Sequence, residues 1–320
     1  MQKWTKSPER TASIAFLIFD QFSNLCLSNC LEPLRAANGV THGHIFDWSI
    51  LTMDGAPVRS SSGIQVMPHA ALADIGRVDY LFVHASFDHI RHDTSAMRHA
   101  LRRAAAKADT VVGLDAGPWL MAAAGLLSGR RATIHWDLSD SFAERFLDVE
   151  VERARDLRDG PMVTCAGAMS ALDLTLSLIS DHLGAATRMD IEDQFMHRDP
   201  PVTSGEDDMR ASGDPLVRRA VVLMRAHVER PLRLPALARA LSCQPRTLDR
   251  RFRSALGAPP GTVYRHLRLS EARKLLDSTR LGIAEIAVRC GYDSPAALTR
   301  AMRLRYGQAP TALRRQTPLR

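Results

Sequence analysis

Between residues 232 and 307 one pattern occurs twice: a short helical stripe of apolar residues, a turn, and a second helical stripe rich in arginine. In the first copy Leu234, Leu237, Ala238 and Leu241 fall on one helical face, Ser242, Cys243, Gln244 and Pro245 interrupt it, and Leu248, Phe252 and Leu256 resume it. In the second copy Ile283, Ile286 and Ala287 precede a break at 290–295, and Leu298, Met302 and Tyr306 resume the stripe. Each copy suits a helix-turn-helix, in which a tight turn sets a second helix across the first and leaves its polar side outward. Pro245 and Pro295 stand where a helix begins, because a missing N–H costs nothing in the first turn. Between the copies, Val263, Leu267, Leu269, Ala272, Leu275 and Leu276 mark a longer helix able to hold the two units apart.

These residues resemble the AraC/XylS family of transcriptional regulators. The match runs through RLSEARKLLDSTRLGIAEIAVRCGYDSPAALTRAMRLRYGQAP, residues 268–310, and more weakly through LPALARALSCQPRTLDRRFRSALGAPP, residues 234–260. The resemblance implies a DNA-binding regulator whose partners are double-stranded DNA, RNA polymerase and a second copy of the chain. On the family's pattern the first recognition helix exposes Gln244, Arg246, Thr247 and Arg250. Ser294, Pro295, Ala296, Ala297 and Arg300 take the corresponding places in the second. Arginine pairs bidentately with guanine and glutamine with adenine in the major groove, while Arg251 and Arg253 suit phosphate. The second helix opens on small apolar residues, so weaker base discrimination is expected there.

Charge supports the same division. Residues 215–320 hold 22 Lys and Arg against 6 Asp and Glu, a surplus of 16, whereas the whole chain carries only +7, which leaves −9 for residues 1–214. A basic segment joined to an acidic one is the electrostatic footprint of a nucleic-acid-binding domain with a partner domain. The 320 residues suffice for two domains with ordinary cores. No apolar run reaches the ~18 residues of a membrane helix, and the start lacks the apolar segment of a secretory signal, so a cytoplasmic protein without a membrane partner is expected. The five cysteines, Cys26, Cys30, Cys165, Cys243 and Cys290, include no CxxC pair. They read as reduced packing residues, and neither metal nor cofactor is expected.

Upstream, short apolar runs at 14–19, 48–52, 80–83 and 110–114 alternate with helical stretches, notably 95–108 and 117–127. That alternation predicts an α/β domain, flavodoxin-like, with a mostly parallel sheet covered on both faces. An apolar strand that runs into a small-residue turn and an alanine-rich helix places Asp115 at the carboxyl edge, where open α/β sheets bind ligands.

The segment 111–136, VVGLDAGPWLMAAAGLLSGRRATIHW, resembles the PfpI-type, class I glutamine amidotransferase-like fold. A nucleophilic cysteine occupies the elbow in that fold, and here Asp115 stands in its place. A carboxylate is a poor nucleophile for amide or thioester chemistry, so catalysis by the family mechanism is disfavoured. Cys165 lies in a different segment and is no evident substitute. The whole amino-terminal portion is similar to the sensory domain of the GlxA-type branch of AraC regulators, and within it to activators of carnitine, glycine betaine and arginine catabolism.

The resemblance implies that Glu32 approaches the elbow. Two neighbouring carboxylates would then hold a proton or a cation between them. Trp119, His135 and Trp136 are the remaining ligand-site candidates, the tryptophans offering faces to a quaternary ammonium. A small amine, betaine or amino-acid metabolite is the expected effector. Asp115 has a second reading as the cap of the helix that starts near Gly117.

The expected domain order is a sensor at 1–186, a linker at 187–214 and a DNA-binding domain at 215–320. The linker is polar, acidic and broken by proline and glycine, with a helix near 191–196. Two other readings of the chain are an enzyme of the amidotransferase-like fold with a DNA-binding appendage, and a constitutive DNA-binding protein whose amino-terminal domain only dimerises.

Overall fold

The computed structural model describes residues 4–6, 10–41, 43–195 and 214–316. The chain divides into two compact units, Ser7–Leu183 and a second that begins at Gly184 and takes in the described residues 4–6.

The first unit is built on seven strands: β1 (Ala12–Ile18), β2 (Phe46–Thr52), β3 (Ala70–Ala71), β4 (Val78–Ala85), β5 (Ala108–Asp115), β6 (Asp156–Asp159) and β7 (Met162–Cys165). They lie in the order β6-β7-β5-β4-β1-β2-β3. Every pairing is parallel except that of β6 with β7. The helices are α1 (Asn24–Thr41), α2 (His89–His92), α3 (Ser95–Ala105), α4 (Gly117–Ala123), α5 (Ser139–Arg145) and α6 (Ala168–Leu183). On one face Ala15, Leu17, Leu81, Val83 and Val111 pack under Met97 and Leu101 of α3 and Leu120 and Met121 of α4. On the other, Phe16 stacks on Phe82, with ring centroids 4.7 Å apart. A sheet covered on both faces carries continuous apolar strands, as the IAFLIF run at 14–19 requires.

This is the expected α/β architecture with a mostly parallel sheet. The four central strands coincide with the four expected runs. β3, β6 and β7 lie outside the expected runs. β3 spans two residues, and β6 is the polar DLRD at the sheet edge, where alternation gives no apolar stripe to detect.

The second unit holds α7 (Ala185–Phe195), α8 (Pro215–Ala226), α9 (Leu234–Ala240), α10 (Pro245–Leu256), α11 (Pro260–Ser278), α12 (Ile283–Arg289), α13 (Pro295–Tyr306) and α14 (Pro310–Gln316). Of the expected linker, 187–195 is helical and belongs to this unit, as does Asp214 at its other end; 196–213 lie outside the described residues. Proline sits in the first turn of α8, α9, α10, α11 and α13, where its fixed φ favours helix and its missing N–H has no partner to lose. Asp214 caps α8 by accepting from Leu216 N at 2.9 Å.

Two cores form. Val217, Ala220, Met224, Leu237, Leu248 and Phe252 meet Val263 and Leu267 from the first half of α11. Ile286, Ala287, Leu298, Met302 and Leu313 meet Leu269, Ala272 and Leu276 from its second half. The long helix therefore serves both units, each of which is too small to bury its apolar faces alone.

Candidate nucleic-acid interface and effector site

Each helix pair is closed by the same hydrogen bonds. After α9, Cys243 N donates to Ala238 O at 3.0 Å and Ser242 N to Arg239 O at 3.0 Å. After α12, Tyr292 N donates to Ala287 O at 2.8 Å and Gly291 N to Val288 O at 2.9 Å. These bonds satisfy the last carbonyls of the first helix and require a left-handed residue, which is Ser242 (φ 53°) in one unit and Gly291 (φ 69°) in the other. The chain then turns into α10 or α13, the two candidate recognition helices.

On α10, Gln244, Arg246 and Arg250 are exposed and Thr247 is half-buried. Gln244 stands at the N-cap, and its side chain makes no capping bond. Arg246 and Arg250 have no ion pair among the described residues, whereas Arg251 is held by Asp214 at 3.1 Å and Arg253 by Asp249 at 2.8 Å. On α13 the Ser294 hydroxyl accepts from Ala297 N at 3.2 Å and so caps the helix. Pro295, Ala296 and Arg300 are exposed, and Ala297 is half-buried. These nine residues lie at the N-caps and in the first halves of the two helices.

In the first unit the backbone bends sharply between β5 and α4. Asp115 has φ 59°, and Ala116 N donates to Ala85 O at 2.9 Å. Gly117 is required here, since a Cβ would lie 2.0 Å from the Val83 carbonyl oxygen. The bend aims the Asp115 carboxyl at the residue that follows β4, where Ser86 Oγ donates to Oδ2 at 2.8 Å. Burial raises the Asp115 pKa from its ordinary value, against the opposing pull of the Ser86 bond and of His135. His135 N donates to Asp115 O at 3.1 Å. Its ring lies 5.6 Å from that of Trp136, which is 75% exposed.

Three expectations for this site change. The helix cap is not Asp115: Ala116 holds that position, and the carboxyl is taken by Ser86. Trp119 offers no free face, because it is buried among His89, Phe142 and Phe146 at centroid distances of 5.0, 6.0 and 5.3 Å. Glu32 lies on the exposed side of α1, opposite the buried Cys26, Cys30 and Leu34, and pairs with Arg35 at 2.7 Å. The groups that act on Asp115 are Ser86 and His135 instead.

Sequence reading missed Ser86 and the buried His89, whose Nδ1 lies 3.2 Å from Ser86 O. Both follow β4, the strand beside β5, so strand adjacency was the signal that would have found them. The thiols of Cys26 and Cys165 are close enough to feel the Asp115 charge, and burial pushes both well above the usual range. They stay protonated, as inert buried cysteines do. Two cavities of ≈ 90 and ≈ 70 Å³ open elsewhere, one beside Tyr80 and Asp156, the other beside Ile75 and Lys107.

The family model for a helix-turn-helix domain matches residues 237–316, and that for the DJ-1/PfpI family matches residues 12–181. The HTH-type transcriptional regulator CdhR of Pseudomonas aeruginosa is 34% identical over 310 residues, which cover 95% of this chain and 92% of that one. The chain belongs to the AraC-type regulators that carry a DJ-1/PfpI domain. A further member, the HTH-type transcriptional regulator GlxA of Rhizobium meliloti, is 32% identical over 95% of this chain and 96% of its own. Among solved structures, an AraC family transcriptional regulator from Pseudomonas putida matches with a TM-score of 0.51 at 22% identity, over 57% of this chain and 98% of that one, which shows the fold. As an AraC-type regulator the protein binds DNA through its helix-turn-helix region and acts in transcription. No helix among the described residues is long and apolar enough to cross a membrane.

Proposed function

We propose that this regulator is an activator whose DJ-1/PfpI domain senses a small cationic metabolite, an amine, betaine or basic amino acid, at the Asp115 elbow. The observation that carries the reading is a buried carboxyl on a left-handed elbow, hydrogen-bonded to Ser86, with His135 beside it and the exposed Trp136 next to His135. A carboxylate with an aromatic face nearby is the chemistry that retains an organic cation. The elbow holds no thiolate, and the thiols nearest it are kept protonated, which supports a sensor over an enzyme. Gln244, Arg246, Thr247 and Arg250 on α10, and Ser294, Pro295, Ala296, Ala297 and Arg300 on α13, are the proposed DNA contacts. A second copy of the chain and RNA polymerase are its proposed protein partners, and the cytoplasm its proposed compartment.

Calorimetric titration of the full chain with glycine betaine, carnitine, arginine and a polyamine tests the effector. Saturable binding by at least one, abolished in Asp115→Asn, is expected. Because burial raises the Asp115 pKa, a cation that needs the carboxylate binds more tightly as pH rises through that raised value and is lost below it. Binding by none of the four, or binding indifferent to both Asp115→Asn and pH, removes the cation reading. In vitro transcription with and without the bound amine tests activation, and a turnover assay on small amides tests the enzyme alternative.

A further inference from the structure

We infer that α7 is a brace across both helix-turn-helix units, and that Asp190 is the positioning residue through which it sets the second recognition helix on DNA. Asp190 Oδ1 accepts from His266 Nε2 at 2.8 Å and from Ser270 Oγ at 2.7 Å, two residues one turn apart on α11. Its Oδ2 accepts from Arg305 Nη2 at 3.5 Å, on α13. Arg305 Nε donates to His266 Nδ1 at 3.3 Å, so the imidazole accepts a hydrogen bond from the arginine on one side and donates one to the carboxylate on the other. His266 is 3% exposed and the Asp190 side chain 11%. In such shelter a charge is kept only by its partners, and removing one partner leaves the others uncompensated.

The same helix grips the first unit. Met189, one residue earlier, belongs to the core formed by Val217, Ala220, Met224 and Phe252. Asp193, nearly one turn later, pairs with Arg225 of α8. Chain entry into α7 is fastened as well, since Ala186 N donates to the Trp4 carbonyl at 3.0 Å and the Trp4 ring meets His266 edge-on at 5.3 Å.

The two helix-turn-helix units share the rod α11 and meet where Gly291 lies against Val228 and Pro231. A further element attached to both restricts their relative rotation. Arg305 and Arg300 share α13, so a hold on Arg305 is a hold on a residue proposed to contact DNA. The relative rotation of α10 and α13 then fixes the base-pair spacing between the two segments that they contact. One inserted base pair rotates one segment against the other by about 35°. This rests on DNA binding by both units and extends it to a residue outside either of them.

The test uses the full chain and duplex DNA selected from a random-sequence pool by the unaltered protein, with copies that have one base pair added or removed between the two protected segments. The unaltered protein is expected to lose about tenfold in affinity on the respaced copies, the range of a mismatched contact. Asp190→Ala is expected to bind the original DNA about tenfold more weakly and to discriminate among spacings by less than about threefold. Asp190→Asn, which keeps an acceptor for His266 and Ser270 and drops the charge, falls between. Arg305→Met reproduces Asp190→Ala, and the double variant is no worse than either single one, as coupled partners require. If Asp190→Ala does not fold, Arg305→Met carries the test. The brace is overturned if the folded variant keeps the full spacing penalty, whatever happens to its affinity, because a merely structural loss lowers binding to all spacings alike.

Discussion

The two helix-turn-helix units share one set of turn hydrogen bonds and one core pattern, yet they dispose of their polar residues differently. In the first, the residue at the N-cap, Gln244, makes no capping bond, and Arg246 and Arg250 stand exposed without a partner among the described residues. In the second, Ser294 spends its hydroxyl on the cap, Arg305 is drawn into the Asp190 and His266 cluster, and the turn itself is clasped from α11. Arg268 donates to Cys290 O at 2.7 Å and to Gly291 O, and lies over the Tyr292 ring at 4.2 Å. The first unit leaves Gln244, Arg246 and Arg250 free for a ligand, whereas the second leaves Arg300 free and engages Ser294 and Arg305 in being held. A duplicated fold can thus divide labour with no change in backbone plan, through the choice of which polar groups are satisfied internally.

The turns offer the widest test of that contrast. Ser242 and Gly291 occupy equivalent left-handed positions, but a Cβ on Gly291 would lie 2.6 Å from Val228 O and 2.7 Å from the Pro231 ring. Gly291→Ala should therefore destabilise the protein by about 3 kcal/mol, combining left-handed strain with overpacking. Ser242→Ala, where a side chain is already accommodated, should cost less than about 1 kcal/mol. Urea unfolding of both variants measures the difference, and equal losses would make the two turns interchangeable.

The same contrast separates local signals in the sequence from features that depend on packing. The apolar stripes, the breaks and the prolines at 245 and 295 identify both helix pairs, because a 3.6-residue period and a first-turn proline are local signals. The strand runs at 14–19, 48–52, 80–83 and 110–114 are local as well. Asp190 bonds His266 across 76 residues and Arg305 across 115, and Ser86 reaches Asp115 across 29. Partnerships of that kind depend on packing that no window of sequence displays. Glu32 and Trp119 differ from expectation for a related reason. Helical spacing says which residues share a face but not which face is covered, and α1 turns Glu32 to solvent while α4 turns Trp119 into the core. The Ser294 cap is a local signal too, since serine directly before a first-turn proline marks a helix start.

Next in size is the difference between the two exposed arginines. Arg250→Ala should relax base preference at one position by about 1–3 kcal/mol, the range for a bidentate arginine–guanine contact. Arg300→Ala, on a helix that opens with Pro295, Ala296 and Ala297, should weaken binding to all sequences alike and lower the salt slope by about 1, as loss of a phosphate contact does. Binding-site selection at two salt concentrations separates these outcomes. Equal base-specific losses would mean that both units read sequence.

The smallest effects come from the two N-caps, and they should cross. Ser294→Ala removes an acceptor from Ala297 N, so it should cost about 1 kcal/mol of stability, seen as a lower urea midpoint, while the preferred DNA sequence stays the same. Gln244→Ala removes no capping bond and should change stability by less than about 0.5 kcal/mol, yet relax the base preference beneath α10. One residue type at each cap is then read out in a different currency, stability at α13 and recognition at α10. If Gln244→Ala instead lowers the urea midpoint as much as Ser294→Ala, its side chain is structural, and the division of labour between the units would have to rest on the arginines alone.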